Sequence, residues 1–297
     1  MLIVAQNTKK DEQKCRRKNL DELEQQYLQL LESNPDNPDM LHSLGVIAYQ
    51  KGQYNKALEW ISKAIENNRF VPQFHNTLGI ILEALGRFDE AINAYQQAVS
   101  LKPDYAEAYH NMAVALQSRG HYASAVERCK QAVMLKQDYV QAYNTMAFSL
   151  EKQNLYDEAI DNYKQALLLD PDFVEAYNHL GVVLNEKGRY AEAIDNFRNA
   201  IKRDPDYVEV YNNLGIALKE HEEFSEAIAC FEKTLQLDPN FVEAYYNLGN
   251  SLRDEGRCVE AIRNFKKGIS EATKDTSESE EKQIPKESPR KDSSQEV

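Results

Sequence analysis

The chain has 297 residues, a formal net charge of −13 and 42% hydrophobic residues, with 9 prolines and 11 glycines. That balance fits a soluble, helix-rich protein with enough apolar residue to bury a core, and an acidic body repels nucleic-acid phosphate. No apolar run approaches the ~18 residues that cross a bilayer, so no membrane insertion is expected.

The opening "MLIVAQ" is too short for a signal-peptide core, and its basic residues follow the apolar run instead of preceding it. Cys15, Cys129, Cys230 and Cys258 never fall at CxxC spacing and give no disulfide framework. A reducing, cytoplasmic location is the simplest expectation. Residues 1–19 read as a disordered basic arm, with Lys9, Lys10, Lys14, Arg16, Arg17 and Lys18 against Asp11 and Glu12. Residues 20–37 read as one amphipathic capping helix, a partial repeat with Leu23, Tyr27 and Leu30 on one side and Pro35 past its end.

From Pro38 onward the sequence repeats itself. The pairs Leu44-Gly45, Leu78-Gly79, Met112-Ala113, Met146-Ala147, Leu180-Gly181, Leu214-Gly215 and Leu248-Gly249 recur every 34 residues without insertion or deletion. Ala57, Ala91, Ala125, Ala159, Ala193, Ala227 and Ala261 keep the same interval, as does an aromatic-rich position at Ile61, Tyr95, Cys129, Tyr163, Phe197, Phe231 and Phe265. The copies span 38–71, 72–105, 106–139, 140–173, 174–207, 208–241 and 242–271, followed by a polar tail, 272–297, expected to be disordered.

Each copy carries two helical stripes. In the fifth, Tyr177, Leu180, Gly181 and Leu184 share one face of a first helix, and Tyr190, Ala193, Ile194, Phe197, Ala200 and Ile201 share one face of a second. Gly188 ends the first helix in the left-handed region, and Pro205 closes the second. Asn154 and Glu222 take the turn-glycine place in the fourth and sixth copies, where Glu is the costlier substitute. No cap follows the seventh copy, so Ile262, Phe265 and Ile269 sit on a helix without a successor and are candidates for self-association.

Active-site chemistry is not visible. His42, His75, His110, His121, His179 and His221 never reach metal-ligand spacing, and no GxSxG, phosphate loop or dinucleotide fingerprint occurs. Cys129 and Cys230 read as packing residues. No catalysis, metal or cofactor is expected.

The 34-residue helix–turn–helix pattern, with its Leu-Gly, Ala, aromatic and Pro positions, resembles the tetratricopeptide repeat. Its insertion-free style is similar to the arrays attached to O-GlcNAc-transferase-like enzymes, here without the catalytic domain. The resemblance implies an all-α, right-handed superhelical solenoid whose first helices line a concave groove, with repeat positions 2, 5, 6, 9, 12 and 13 facing it. Positions 5 and 6 then supply Asn76, Asn111, Asn144, Asn178, His179, Asn212, Asn213, Tyr246 and Asn247, and position 9 supplies Val114, Phe148, Val182 and Ile216. Asparagine amides suit the backbone of an extended peptide, and glutamates at position 2 suit basic side chains. Lys and Arg are missing from positions 2 and 6, which sets aside a clamp for a C-terminal carboxylate. The implied function is a non-catalytic scaffold or adaptor for other proteins. The alternatives are a self-assembling structural protein and an adaptor serving a separate glycosyltransferase.

Overall fold

The computed structural model describes the backbone of residues 2–281 and the side chains of residues 18–273. Every regular element among them is an α-helix. The helices fall into two compact units, residues 1–171 and 172–297.

The first unit holds α1 (Leu2–Ser33), α2 (Pro38–Gln50), α3 (Tyr54–Asn67), α4 (Pro72–Ala84), α5 (Phe88–Leu101), α6 (Ala106–Ser118), α7 (Tyr122–Leu135), α8 (Val140–Glu151) and α9 (Tyr156–Leu169). After α1 they pair as helical hairpins: α2 with α3, α4 with α5, α6 with α7 and α8 with α9. Each second helix also packs on the next first helix, and neighbouring first helices touch. The second unit repeats the scheme with α10 (Val174–Glu186), α11 (Tyr190–Arg203), α12 (Val208–Glu220), α13 (Phe224–Leu237), α14 (Val242–Asp254) and α15 (Cys258–Glu281). Within each unit, then, the hairpins stack as a repeat solenoid, because no hairpin can bury its apolar faces alone.

The hairpin geometry follows from small residues opposite large ones. The repeated alanine is fully buried at Ala57, Ala91, Ala125, Ala159, Ala193 and Ala227. A Cβ built on Gly215 would lie 2.6 Å from the Phe231 ring, and one on Gly79 would lie 2.4 Å from the Tyr95 ring. The turn positions behave as the sequence predicts: Gly188 has φ 70°, and Asn154 and Glu222 are held at φ 59° and 66°.

Both ends differ from expectation. Helix α1 begins at Leu2, although residues 1–19 are read from sequence as disordered and the cap as starting at residue 20. No Pro or Gly interrupts residues 1–33, so nothing in the chain stops the helix. Its C-terminal half is fastened by Glu24, which accepts from Lys51 Nζ and Lys56 Nζ at 2.6 Å each. Helix α15 likewise runs to Glu281, past the expected repeat end at 271, there being no proline before Pro285. Residues 282–297 of the expected disordered tail lie outside the described residues.

Candidate functional site

Within each unit the first helices of successive copies lie side by side, which brings repeat position 5 of one copy against position 6 of the next. In the first unit His42 Nε2 meets Thr77 Oγ1 at 2.9 Å, Asn111 Nδ2 donates to Asn76 Oδ1 at 3.1 Å, and His110 Nε2 meets Thr145 Oγ1 at 3.1 Å. In the second unit Asn213 Nδ2 donates to Asn178 Oδ1 at 3.0 Å, and Asn247 Nδ2 donates to Asn212 Oδ1 at 3.1 Å. The asparagine row therefore serves first as a set of ties between repeats. Asn76, Asn178 and Asn212 are buried as acceptors, whereas Asn111, Asn213 and Asn247 are half-buried donors.

The tie fixes the donor amides and leaves part of each unused. A carboxamide has two N–H donors and one oxygen. After one N–H is committed, Asn213 and Asn247 each retain an oxygen and an N–H with no other bond among the described residues. One acceptor beside one donor is the complement of a peptide backbone unit.

The remaining candidate residues flank these amides. Val114 on α6, Phe148 on α8, Val182 on α10 and Ile216 on α12 are half-buried, as are Asn144 and His179. Tyr246 is 37% exposed, and its ring lies 6.4 Å from that of Phe265. Exposed carboxylates hold position 2 in all three copies of the second unit, at Glu175, Glu209 and Glu243, and in two of the four copies of the first, at Asp39 and Glu107, with Gln73 and Gln141 in the others. Asn185 Oδ1, at position 12, is buried without a hydrogen-bond partner among the described residues.

Sequence reasoning missed a second set of polar contacts. Tyr163 Oη donates to Glu151 Oε2 at 2.9 Å, and Tyr95 Oη donates to Glu83 in the same way. Burial holds the Glu83 carboxyl above its ordinary range, and the Tyr95 bond opposes the shift. The signal lay in the copies themselves: tyrosine at the aromatic position comes with glutamate at position 12. Phe197, Phe231 and Phe265 come with Asn185, Lys219 and Arg253 instead.

His110 is enclosed by the Thr145 tie and by Tyr139 Oη at 3.2 Å from Nδ1, and desolvation lowers its pKa to about 4. The thiols of Cys129 and Cys230 are pushed up to about 12 by burial, which holds them protonated and unreactive. At the end of the array, Phe265 packs over Gly249 and is half-buried, so of the three self-association candidates only Ile262 and Ile269 are exposed. Among the described residues no helix is long and apolar enough to cross a membrane, and no group of three or more His, Cys, Asp or Glu is placed to hold a metal ion.

Models described as tetratricopeptide repeats match residues 81–120, 106–139, 145–208 and 184–252. A model for subunit 3 of the anaphase-promoting complex, or cyclosome, matches residues 19–98. No curated protein matches the chain significantly. Among solved structures, MamA is 25% identical with a TM-score of 0.54, the match covering 56% of this chain and 97% of that one. YrrB, described as a TPR protein with an unusual peptide-binding site, is 21% identical with a TM-score of 0.54, covering 62% and 95%. The Cut9–Hcn1 hetero-tetramer of the anaphase-promoting complex gives 17% identity and a TM-score of 0.61, covering 86% of this chain and 50% of that one. Period, hairpin stacking and model matches agree: the chain carries tetratricopeptide repeats.

Proposed function

We propose that the chain is a non-catalytic scaffold whose first helices bind extended, basic segments of other proteins. The observation that carries this is the half-used amide on Asn213 and on Asn247, one on each of two successive copies. Each holds one acceptor and one donor in a fixed orientation, so little side-chain entropy is lost when a peptide backbone pairs with it. Ile216, one turn along α12 from Asn213, offers an apolar contact. Glu175, Glu209 and Glu243 favour Lys or Arg on the ligand. The peptide-binding site attributed to YrrB and the subunit role of Cut9 show that this fold is used for protein contacts in those molecules.

The test separates the ties from the binding atoms. Threonine at position 6 already ties to position 5 in two copies, through Thr77 and Thr145. Asn213→Thr with Asn247→Thr keeps a hydroxyl donor for Asn178 and Asn212 while deleting the free half of each amide. Peptides are selected from a random extended library on the wild-type chain, and their affinity for both proteins is measured by fluorescence anisotropy. Losing two to four hydrogen bonds of ~1 kcal/mol each weakens binding by about thirtyfold to a thousandfold, with the melting temperature unchanged. A library that yields no binder, or binders held equally by the variant, overturns the reading.

A further inference from the structure

On α12 and α14 the half-used amide has a fixed companion. Glu209 stands four residues before Asn213, and Glu243 four residues before Asn247, so each carboxylate lies one turn from its amide on the same helix face. Both glutamates are exposed. Among the described residues their side chains make one bond between them, a long one of 3.5 Å from Asn212 Nδ2 to Glu243 Oε1. Glu175 holds the same place on α10, and α10, α12 and α14 touch in turn. One carboxylate per copy, none paired with a cation, is complementary to a row of cations with the same repeat.

Spacing selects the conformation of the ligand. Packed neighbouring helices lie about 8–10 Å apart. Three residues of extended chain cover about 10 Å as a β-strand and about 9.3 Å as polyproline II, so either reaches from one copy to the next. A strand turns successive side chains to opposite faces, so residues i and i+3 point apart. Polyproline II completes a turn in about three residues, so residues i, i+3 and i+6 share a face. Its backbone makes no internal hydrogen bonds, which leaves N–H and C=O groups for Asn213 and Asn247. We propose that Glu175, Glu209 and Glu243 select polyproline II segments with Arg or Lys at every third residue, one per copy. This rests on the groove reading and adds the ligand's conformation and spacing to it. Proline suits the places between, and is excluded where its missing N–H would face an amide.

Fluorescence anisotropy at low salt tests this with two labelled peptides of one composition, three Arg, three Pro and three Ser, so that net charge is constant. One carries arginine at every third residue and the other at every second. The every-third peptide is expected to bind about tenfold tighter, because the other seats a single arginine at a time. Glu209→Gln with Glu243→Gln is expected to erase that preference at an unchanged melting temperature. Equal affinities, no binding of either peptide, or a preference that survives in the variant overturns the proposal. Equal affinities that both fall on Asn213→Thr with Asn247→Thr leave the groove reading standing. Affinities that this amide pair does not change mark the failure of that reading instead.

Discussion

Gly45 and Gly215 hold the same repeat position with different neighbours. Opposite Gly215 stands Phe231, whose ring would lie 2.6 Å from an added Cβ; opposite Gly45 stands Ile61, and nothing comes closer than 3.5 Å. Gly215→Ala is expected to destabilise the chain by about 1–3 kcal/mol through overpacking. Gly45→Ala is expected to stabilise it by about 0.5–1 kcal/mol, since alanine orders more readily in a helix. Thermal melts of the two variants check this, and equal shifts in one direction would remove the packing argument. The fourth copy does place Ala147 opposite Tyr163, both fully buried, so a methyl is accepted where the ring is seated with it. His110 makes the second prediction at this scale. Its imidazole titrates near 4 in the fold, against an ordinary value of about 6.5 in the unfolded chain. The fold therefore holds it neutral, and stability is full above the unfolded value and is lost as pH falls from there towards 4. The loss is about 3 kcal/mol for this group. His110→Asn with Thr145→Asn reproduces the Asn76–Asn111 tie without a titrating ring. Urea melts at neutral and acid pH should show a smaller acid loss in that variant than in the wild type, and equal losses would reject the assignment.

Helices and turns were largely legible in the sequence, because period, turn residue and closing proline all pointed the same way. Glu222 shows how far that reaches. Its place in the 34-residue frame marks it as a turn residue, and it holds φ 66° with Glu223, Glu226 and Glu255 nearby. Glu222→Gly is expected to stabilise the chain by about 1 kcal/mol, measured as a rise in melting temperature, by removing both left-handed strain and one of four neighbouring carboxylates. No gain would mean that the turn relaxes around glutamate at no cost. The extent of α1 was not legible, since low hydrophobicity argued for disorder while the lack of any breaker let the helix continue. The site was half legible. Composition revealed the asparagine row, but the tie from Asn212 to Asn247 spans 35 residues and depends on how copies stack, which no single helix records. The Tyr163–Glu151 bond joins the two helices of one hairpin, and it was legible only in the pairing of tyrosine at the aromatic position with glutamate at position 12.

Across the whole chain, stability in a stacked array is a sum of hairpin terms and contacts between neighbours, so a hairpin with a neighbour missing opens first. In the second unit α12–α13 lies between two hairpins, whereas α14–α15 has one. At the other end of the chain α1 covers α2 and is held by Glu24 between Lys51 and Lys56. The lost cover at Ile262 and Ile269 amounts to about 2 kcal/mol of apolar burial, or about thirtyfold in the opening equilibrium. Hydrogen exchange on the dilute chain should therefore show the amides of α15, from Val259 to Ile269, exchanging about thirtyfold faster than the matching amides of α13. Exchange in α15 as slow as in α13 would mean that other contacts hold the last hairpin, and that the exposed isoleucines do not set its stability.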